Sequence, residues 1–155
     1  MARRSASRIS RRQVLAAGAT PLLGLFGVIQ ARASSPVDAR SMNAESLVAE
    51  AFRMRDEAVA AGDQGYGAVM VVEGRIVGLG RSRVVADRNP DAHAERVALW
   101  DAQARLRRFE LADAVLYSTS RPCSVCQSAL AKARVGRMFV GREGTDAGPP
   151  RAGGG

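Results

Sequence analysis

The sequence is poor in the residues that usually bind transition metals. Its 155 residues include one histidine, His93, and two cysteines, Cys123 and Cys126. Structural zinc sites are usually closed by four ligands of these two types, so histidine and cysteine alone cannot complete such a site here. The cysteine pair could form a disulfide or a thioredoxin-like redox pair, or it could join the histidine around a metal.

Acidic residues are missing from the first part of the chain. Residues 1–33 contain six arginines and no aspartate or glutamate. From residue 34 onward there are 17 basic and 15 acidic residues, which gives a net charge of +2. The overall charge of +8 therefore reflects the N-terminal segment, and the remainder does not predict a basic surface for nucleic acid.

The chain also lacks a long hydrophobic run near its N-terminus. The uncharged stretch at residues 14–29 has 16 residues, whereas a spanning helix needs about 20, so we expect no stable membrane anchor. Arg11 and Arg12 precede this stretch, and Ala31-Arg32-Ala33 follows it as a small-x-small cleavage pattern. The sequence SRRQVLAAG resembles a twin-arginine export signal. We predict that residues 1–33 are a signal peptide for export to the periplasm; the alternative is a basic, uncleaved start of a cytoplasmic protein.

The hydrophobic pattern that follows alternates between helical and strand periodicity. This alternation predicts a three-layer α/β/α domain with a mixed central sheet at residues 41–143, preceded by a linker at 34–40. The Gly/Pro-rich residues 144–155 predict a disordered tail. The predicted helices are 43–61, 92–106 and 122–133, and the predicted strands are 66–72, 75–80, 114–119 and 138–140.

The histidine and the cysteines all fall near predicted helix starts. His93 lies at the start of the second helix, and Cys123 and Cys126 lie three residues apart in the first turn of the third, on one helix face. Both helices follow elements of one sheet, so their N-termini can meet at one sheet edge. Three ligands and one open position are the set expected of a catalytic zinc. Glu95 can reach the open position without ligating the metal, and a carboxylate there can move a proton.

Two short motifs carry a family resemblance. His93-Ala94-Glu95 together with PCSVC, residues 122–126, resembles the zinc-dependent cytidine/deoxycytidylate deaminase superfamily. GYGAVMVVEGRIVGLG, residues 65–80, is similar to the first hairpin of the branch that contains guanine deaminase and the tRNA adenosine deaminases. NPDAHAE, LYSTSRPC and GRMFVG continue the resemblance in the same order up to residue 141.

The resemblance implies a zinc-dependent hydrolytic deaminase. It implies that His93, Cys123 and Cys126 bind Zn²⁺, that Glu95 shuttles protons, and that the Ala94 backbone contacts the substrate. The implied reaction replaces the amino group of a cyclic amidine with oxygen and releases ammonia. The implied substrate is a small molecule, namely a nucleobase, a nucleoside or a similar aminated heterocycle, and the implied assembly is a homodimer or a higher homo-oligomer.

Three features depart from the family pattern. Ser82 stands where the branch usually has an asparagine that holds the base, so a substrate contact there would come from a hydroxyl. Arg121 stands before Pro122 in place of the common glutamate, where it could attract an anionic substrate or face solvent. The C-terminal strand and helix of the relatives are predicted to be missing, which would leave a sheet edge exposed.

Three other functions stay open from the sequence. A cytoplasmic tRNA adenosine deaminase, a catalytically degenerate zinc-binding relative, and a dithiol redox protein that uses Cys123 and Cys126 are all compatible with parts of it. Trp100 and Phe109 are expected to be core residues and not platforms on which bases stack. The basic cluster Arg105, Arg107 and Arg108 is expected to be a solvated helix end.

Overall fold

A computed structural model describes residues 42–153 of the chain. The predicted signal peptide and linker lie outside the described residues. The elements follow the predicted order of helices and strands and add one further strand. They are α1 (Ala44–Ala60), β1 (Gly67–Val72), β2 (Arg75–Arg81), α2 (Ala94–Leu106), β3 (Ala114–Ser118), α3 (Ser124–Lys132), β4 (Arg137–Val140) and β5 (Thr145–Gly148). No helix within residues 42–153 has the length and apolar character needed to cross a membrane.

The five strands form one mixed sheet in the order β2-β1-β3-β4-β5. β1 is antiparallel to both β2 and β3, β3 and β4 are parallel, and β4 and β5 are antiparallel. The parallel pair is joined through α3, since parallel neighbours need a crossover connection. The predicted mixed sheet is confirmed.

Helices cover both faces of this sheet. Successive β1 side chains point to opposite faces. Val69 and Val71 pack in one cluster with α1, whereas Ala68 and Met70 pack in a second cluster with α2 and α3. The continuous apolar run of β1 is thus buried on both sides, and the predicted three-layer α/β/α architecture is confirmed.

Two glycines let α2 lie directly against β2. A Cβ atom at Gly80 would collide with the backbone of α2 at Ala94, and one at Gly78 would collide with it at Ala98. Because both positions lack a side chain, the start of α2 is held close to the sheet. This packing fixes the position of His93, the residue before α2.

The predicted disorder of residues 144–155 and the predicted absence of a C-terminal strand are wrong for part of this segment. Thr145–Gly148 forms β5, which pairs with β4 and places Thr145 opposite Val140. Gly141 and Gly144 have φ of 77° and 59° and make the turn between the two strands. The glycines that indicated disorder therefore supply a tight turn. No helix follows β5 within the described residues.

The two aromatic side chains expected in the core are instead exposed. Trp100 on α2 is 39% exposed and Phe109 is 85% exposed. The helical pattern of α2 uses its alanines and Leu99 for the buried face, which leaves Trp100 on the outer face.

Candidate active site

The three metal-ligand candidates lie at the starts of two helices. His93 is the N-cap of α2 and Cys123 is the N-cap of α3, while Cys126 lies in the first turn of α3. Both helices begin two residues later than predicted, because each N-cap residue has an extended backbone. Neither N-cap side chain bonds to its own helix, so the imidazole and the thiol are available to a ligand.

The ligand atoms of these residues converge at one point. The Nδ1 atom of His93 is 3.4 Å from the Sγ atom of Cys126 and 3.6 Å from that of Cys123. All three ligand atoms lie within 4.8 Å of one another. Tetrahedral zinc, with Zn–N of about 2.0–2.1 Å and Zn–S of about 2.3 Å, needs a nitrogen–sulfur separation of about 3.6 Å. The predicted convergence is confirmed, and its spacing fits zinc.

Cys126 and Glu95 lie in direct contact within the cluster. Cys126 is fully buried, and its Sγ atom lies 3.6 Å from the Oε2 atom of Glu95. Burial, reinforced by the Glu95 carboxylate, raises the pKa of the Cys126 thiol well above its ordinary range. A divalent metal ion would supply the positive charge that a buried thiolate needs, and one imidazole with two thiolates is a ligand set that zinc accepts.

Glu95 is buried beside the ligand cluster, with only 5% of its surface exposed. Its Oε1 atom accepts a hydrogen bond of 3.2 Å from the hydroxyl of Ser118, at the end of β3. Its Oε2 atom faces Cys126. One carboxylate oxygen is therefore held by the sheet while the other faces the ligand cluster. Ser118 was not predicted from the sequence.

A cavity of about 340 Å³ opens over the ligand cluster. Its size falls at the lower end of the range of about 300–1,000 Å³ typical of small-molecule sites. Arg121, for which the sequence left a substrate contact or solvent exposure open, lines this cavity. Gln64 and Ser120 line it too but were not predicted, because Gln64 lies outside the motifs and Ser120 is not one of the motif residues with an implied role. The cavity is lined by Gln64, Tyr66, His93, Glu95, Ser120, Arg121 and Cys123.

Ser82 is placed differently from its predicted role. It is buried, it is not among the residues that line the cavity, and its hydroxyl donates a hydrogen bond of 2.7 Å to the Oδ1 atom of Asp63. The Oδ2 atom of Asp63 accepts from the backbone N–H groups of Val85 and Ala86, each at 2.9 Å. Ser82 and Asp63 thus join the loop before β1 to the loop after β2.

The hydrogen bonds to Asp63 stabilise its charged form. Burial acts to raise the pKa of this carboxyl, but the bonds from Ala86, Ser82, Gln64 and Val85 outweigh it and lower the pKa from 3.8 to about 2. Asp63 is therefore a charged anchor for the two loops over most of the pH range.

Ala94 lies between His93 and Glu95 as the first residue of α2, and its side chain is fully buried. It is not among the residues that line the cavity. The first N–H groups of a helix have no partner within the helix, so a substrate contact from Ala94 would be made by its backbone.

The chain is similar to curated proteins that include a guanine deaminase and a tRNA-specific adenosine deaminase. It is 37% identical over 107 residues to guanine deaminase from Bacillus subtilis, covering 68% of this chain and 69% of the relative. It is 33% identical over 103 residues to the tRNA-specific adenosine deaminase of Haemophilus influenzae, covering 66% of this chain and 60% of the relative. The chain thus spans about two thirds of the length of these relatives.

The fold and the family assignment agree with these similarities. The crystal structure of Bacillus subtilis guanine deaminase superimposes with a TM-score of 0.62 at 35% identity, covering 64% of each chain. Residues 41–142 match the model of the cytidine and deoxycytidylate deaminase zinc-binding region. That match includes both motifs and the whole ligand cluster. The chain therefore belongs to the cytidine and deoxycytidylate deaminase zinc-binding family.

Proposed function

We propose that the protein is a zinc-dependent hydrolytic deaminase that acts on a nucleobase, a nucleoside or a similar small aminated heterocycle and releases ammonia. One observation carries the proposal: three metal-ligand candidates converge, and two of them, His93 and Cys123, line a cavity of about 340 Å³ together with the buried carboxylate of Glu95. Family membership supports the same reaction class. Similarity to guanine deaminase favours a free base as the substrate.

Each residue of the cluster has a defined task in this proposal. His93, Cys123 and Cys126 hold the metal. A zinc ion held by these residues would supply a nucleophile at neutral pH, since it would lower the pKa of a water to about 7. Glu95 takes a proton as water adds to the ring carbon and delivers a proton to the departing nitrogen, so that ammonia leaves.

The placement of Glu95 suits this proton transfer. The carboxylate is bonded to Ser118 through Oε1 and faces the ligand cluster through Oε2. Only 5% of the surface of Glu95 is exposed, so its carboxylate has little contact with bulk water. The carboxylate can therefore take and return a proton at one fixed position.

Substitution of Glu95 by glutamine tests the proposal. We expect full-length, zinc-loaded protein to release ammonia from at least one member of a panel of bases and nucleosides. We expect kcat of Glu95→Gln to be at least about 100-fold lower than that of the wild type, because a positioned general acid–base usually contributes at least that factor to the rate. The variant should still bind about one zinc per chain by elemental analysis. Zinc binding without any turnover in the wild type would instead support a degenerate relative.

The same preparation tests the redox alternative. Two reduced thiols, protected by the metal until a chelator is added, would agree with the proposed site. A disulfide between Cys123 and Cys126 in zinc-free protein would support the dithiol function.

Action on tRNA is a second candidate, favoured by similarity to the Haemophilus enzyme. The net charge of +2 from residue 34 onward gives it little electrostatic support. Inosine formation in transcribed tRNA, with no reaction of free bases or nucleosides, would establish this activity in place of the first.

We also propose that residues 1–33 direct export to the periplasm by the twin-arginine route and that the mature protein is a homodimer or a higher homo-oligomer. Arg11 and Arg12 carry the first proposal. A reporter fusion to residues 1–33 should be exported, and replacement of both arginines by lysine should keep it in the cytoplasm. Light scattering of the purified protein tests the second proposal.

A further inference from the structure

We propose that Arg121 makes this site selective for ligands that carry an oxyanion, either a carboxylate or a phosphate, attached to the heterocycle. That such ligands are substrates rests on the proposed deaminase function. That the Arg121 guanidinium binds an anion in the cavity can be tested by binding alone.

The cavity has one acidic side chain and one fixed cation among its lining residues. Glu95 is buried beside the metal ligands, whereas Arg121 is exposed at the cavity. Zinc bound by two thiolates and a neutral imidazole has no net charge, so the metal centre adds little long-range attraction for an anion. Arg121 is therefore the group in this lining that can attract a negatively charged ligand.

Arg121 is not neutralised by the protein within residues 42–153. Nine arginine–carboxylate pairs within 4.0 Å occur in this range, and none of them includes Arg121. The acid beside the cavity residue Gln64 is Asp63, whose carboxylate is bonded to Ser82, Val85 and Ala86. The guanidinium thus keeps its charge and its donors for a ligand.

The backbone on both sides of Arg121 is held in place. The Thr119 N–H donates to the Gly67 carbonyl at 2.9 Å, which ties the end of β3 to β1. Pro122 is buried, and its carbonyl accepts a hydrogen bond of 2.9 Å from the Gln127 side chain of α3. The segment that carries Arg121 is therefore fixed at both ends, so less freedom is lost when the guanidinium binds a ligand.

The other lining groups suit an uncharged ring. Gln64 offers an amide donor and acceptor, Ser120 a hydroxyl, and Tyr66 an aromatic face with a phenol. A guanidinium matches the two oxygens of a carboxylate or phosphate through paired N–H donors. The side chains that line the cavity are therefore suited to bind an aminated heterocycle with an oxyanion substituent.

Binding to full-length, zinc-loaded protein tests the inference without turnover. The probes are two pairs that lack a leaving amino group, namely orotate against uracil for a ring carboxylate and uridine monophosphate against uridine for a phosphate. Isothermal titration calorimetry at low salt compares the wild type, Arg121→Gln and the control Arg75→Gln. Arg75 suits the control because it is exposed, has no ion pair within the described residues, and pairs with Val72 at the end of β1 remote from the cavity.

In the wild type and in Arg75→Gln, we expect the anionic member of at least one pair to have a Kd about tenfold lower than that of its neutral partner. A factor of about ten is what one charge-assisted hydrogen bond contributes to affinity. The pair that shows the preference identifies carboxylate or phosphate as the source of the oxyanion. In Arg121→Gln the preference should vanish, and in the wild type it should weaken with salt.

Two results would overturn the inference. The first is equal binding of the neutral and anionic members of both pairs by the wild type. The second is a preference that survives Arg121→Gln, which would show that the anion ligates the metal directly.

Ammonia release from cytosine, 5-carboxycytosine, cytidine and cytidine monophosphate is measured in parallel. Anion selectivity without any ammonia release would refute the deaminase proposal for these substrates and leave the role of Arg121 standing.

Discussion

The hydrogen bond from Ser118 to Glu95 gives a quantitative test of how the carboxylate is positioned. We consider Ser118→Ala, which removes the donor and leaves the rest of β3 unchanged. Ser118 and Glu95 are 3% and 5% exposed, so solvent does not screen the contact. Hydrogen bonds to charged groups contribute about 1.5–3 kcal/mol. The O···O distance of 3.2 Å is longer than usual, so the lower value applies.

A loss of about 1.5 kcal/mol corresponds to a decrease of about tenfold in kcat, because 1.36 kcal/mol is one factor of ten. We expect this decrease in the ammonia-release assay, with zinc per chain unchanged. Ser128→Ala is the matched control, since Ser128 lies on α3 and its Oγ atom bonds to the Gly153 N–H and not to Glu95. This control should retain the wild-type kcat.

The coupling between the two residues gives the sharper test. If Ser118 acts through Glu95, then Ser118→Ala in a Glu95→Gln background should cause no further loss beyond about twofold. The reasoning is refuted if the single variant keeps kcat within twofold of the wild type, or if the tenfold loss persists in the double variant. A loss of zinc from Ser118→Ala would assign the serine to the stability of the metal site instead.

Two further predictions concern stability. Because the pKa of Asp63 is lower in the folded protein than in the unfolded chain, its ionised carboxylate stabilises the fold. This contribution is complete above about pH 4, the pKa in the unfolded chain, and is lost as the pH falls towards 2. The difference in the free energy of unfolding between wild type and Asp63→Asn, measured by urea titration, should therefore shrink across that range, and a difference independent of pH would contradict it. Gly80→Ala should destabilise the fold by about 1–3 kcal/mol because its Cβ meets the backbone of α2 at Ala94. Gly65→Ala, whose Cβ meets only the side chains of Val59 and Arg55, should cost less than about 1 kcal/mol, and equal losses in the two variants would refute the packing argument.

The metal ligands could be predicted from the sequence because each carries a local signal. His93 and Cys123 each follow a strand or a strand-linked loop and precede an apolar helical pattern, and Cys126 follows Cys123 by one turn. Helix N-termini on one side of one sheet meet by topology, so no knowledge of side-chain packing was needed. The same reasoning placed Glu95 beside the cluster, because it lies in the first turn of the helix that follows His93.

The contacts that refine the site could not be predicted in this way. The Ser118–Glu95 bond joins residues 23 positions apart and depends on the register of β3 against α2. Gln64 lies in a loop without periodicity, and its place in the cavity follows from the tertiary arrangement of that loop. β5 was missed because TDAG is short and lies in a Gly/Pro-rich segment, and only its pairing with β4 makes it a strand.

Ser82, which the sequence predicts to contact the substrate, is buried and bonded to Asp63. A hydroxyl has a single proton, and the Ser82 proton is used in the bond to Asp63, so Ser82 cannot also donate to a substrate. The amide that lines the cavity belongs instead to Gln64, the residue directly after Asp63, whose N–H also bonds to the Asp63 carboxylate. The hydrogen bonds of Asp63 therefore set the position of Gln64 relative to the loop after β2.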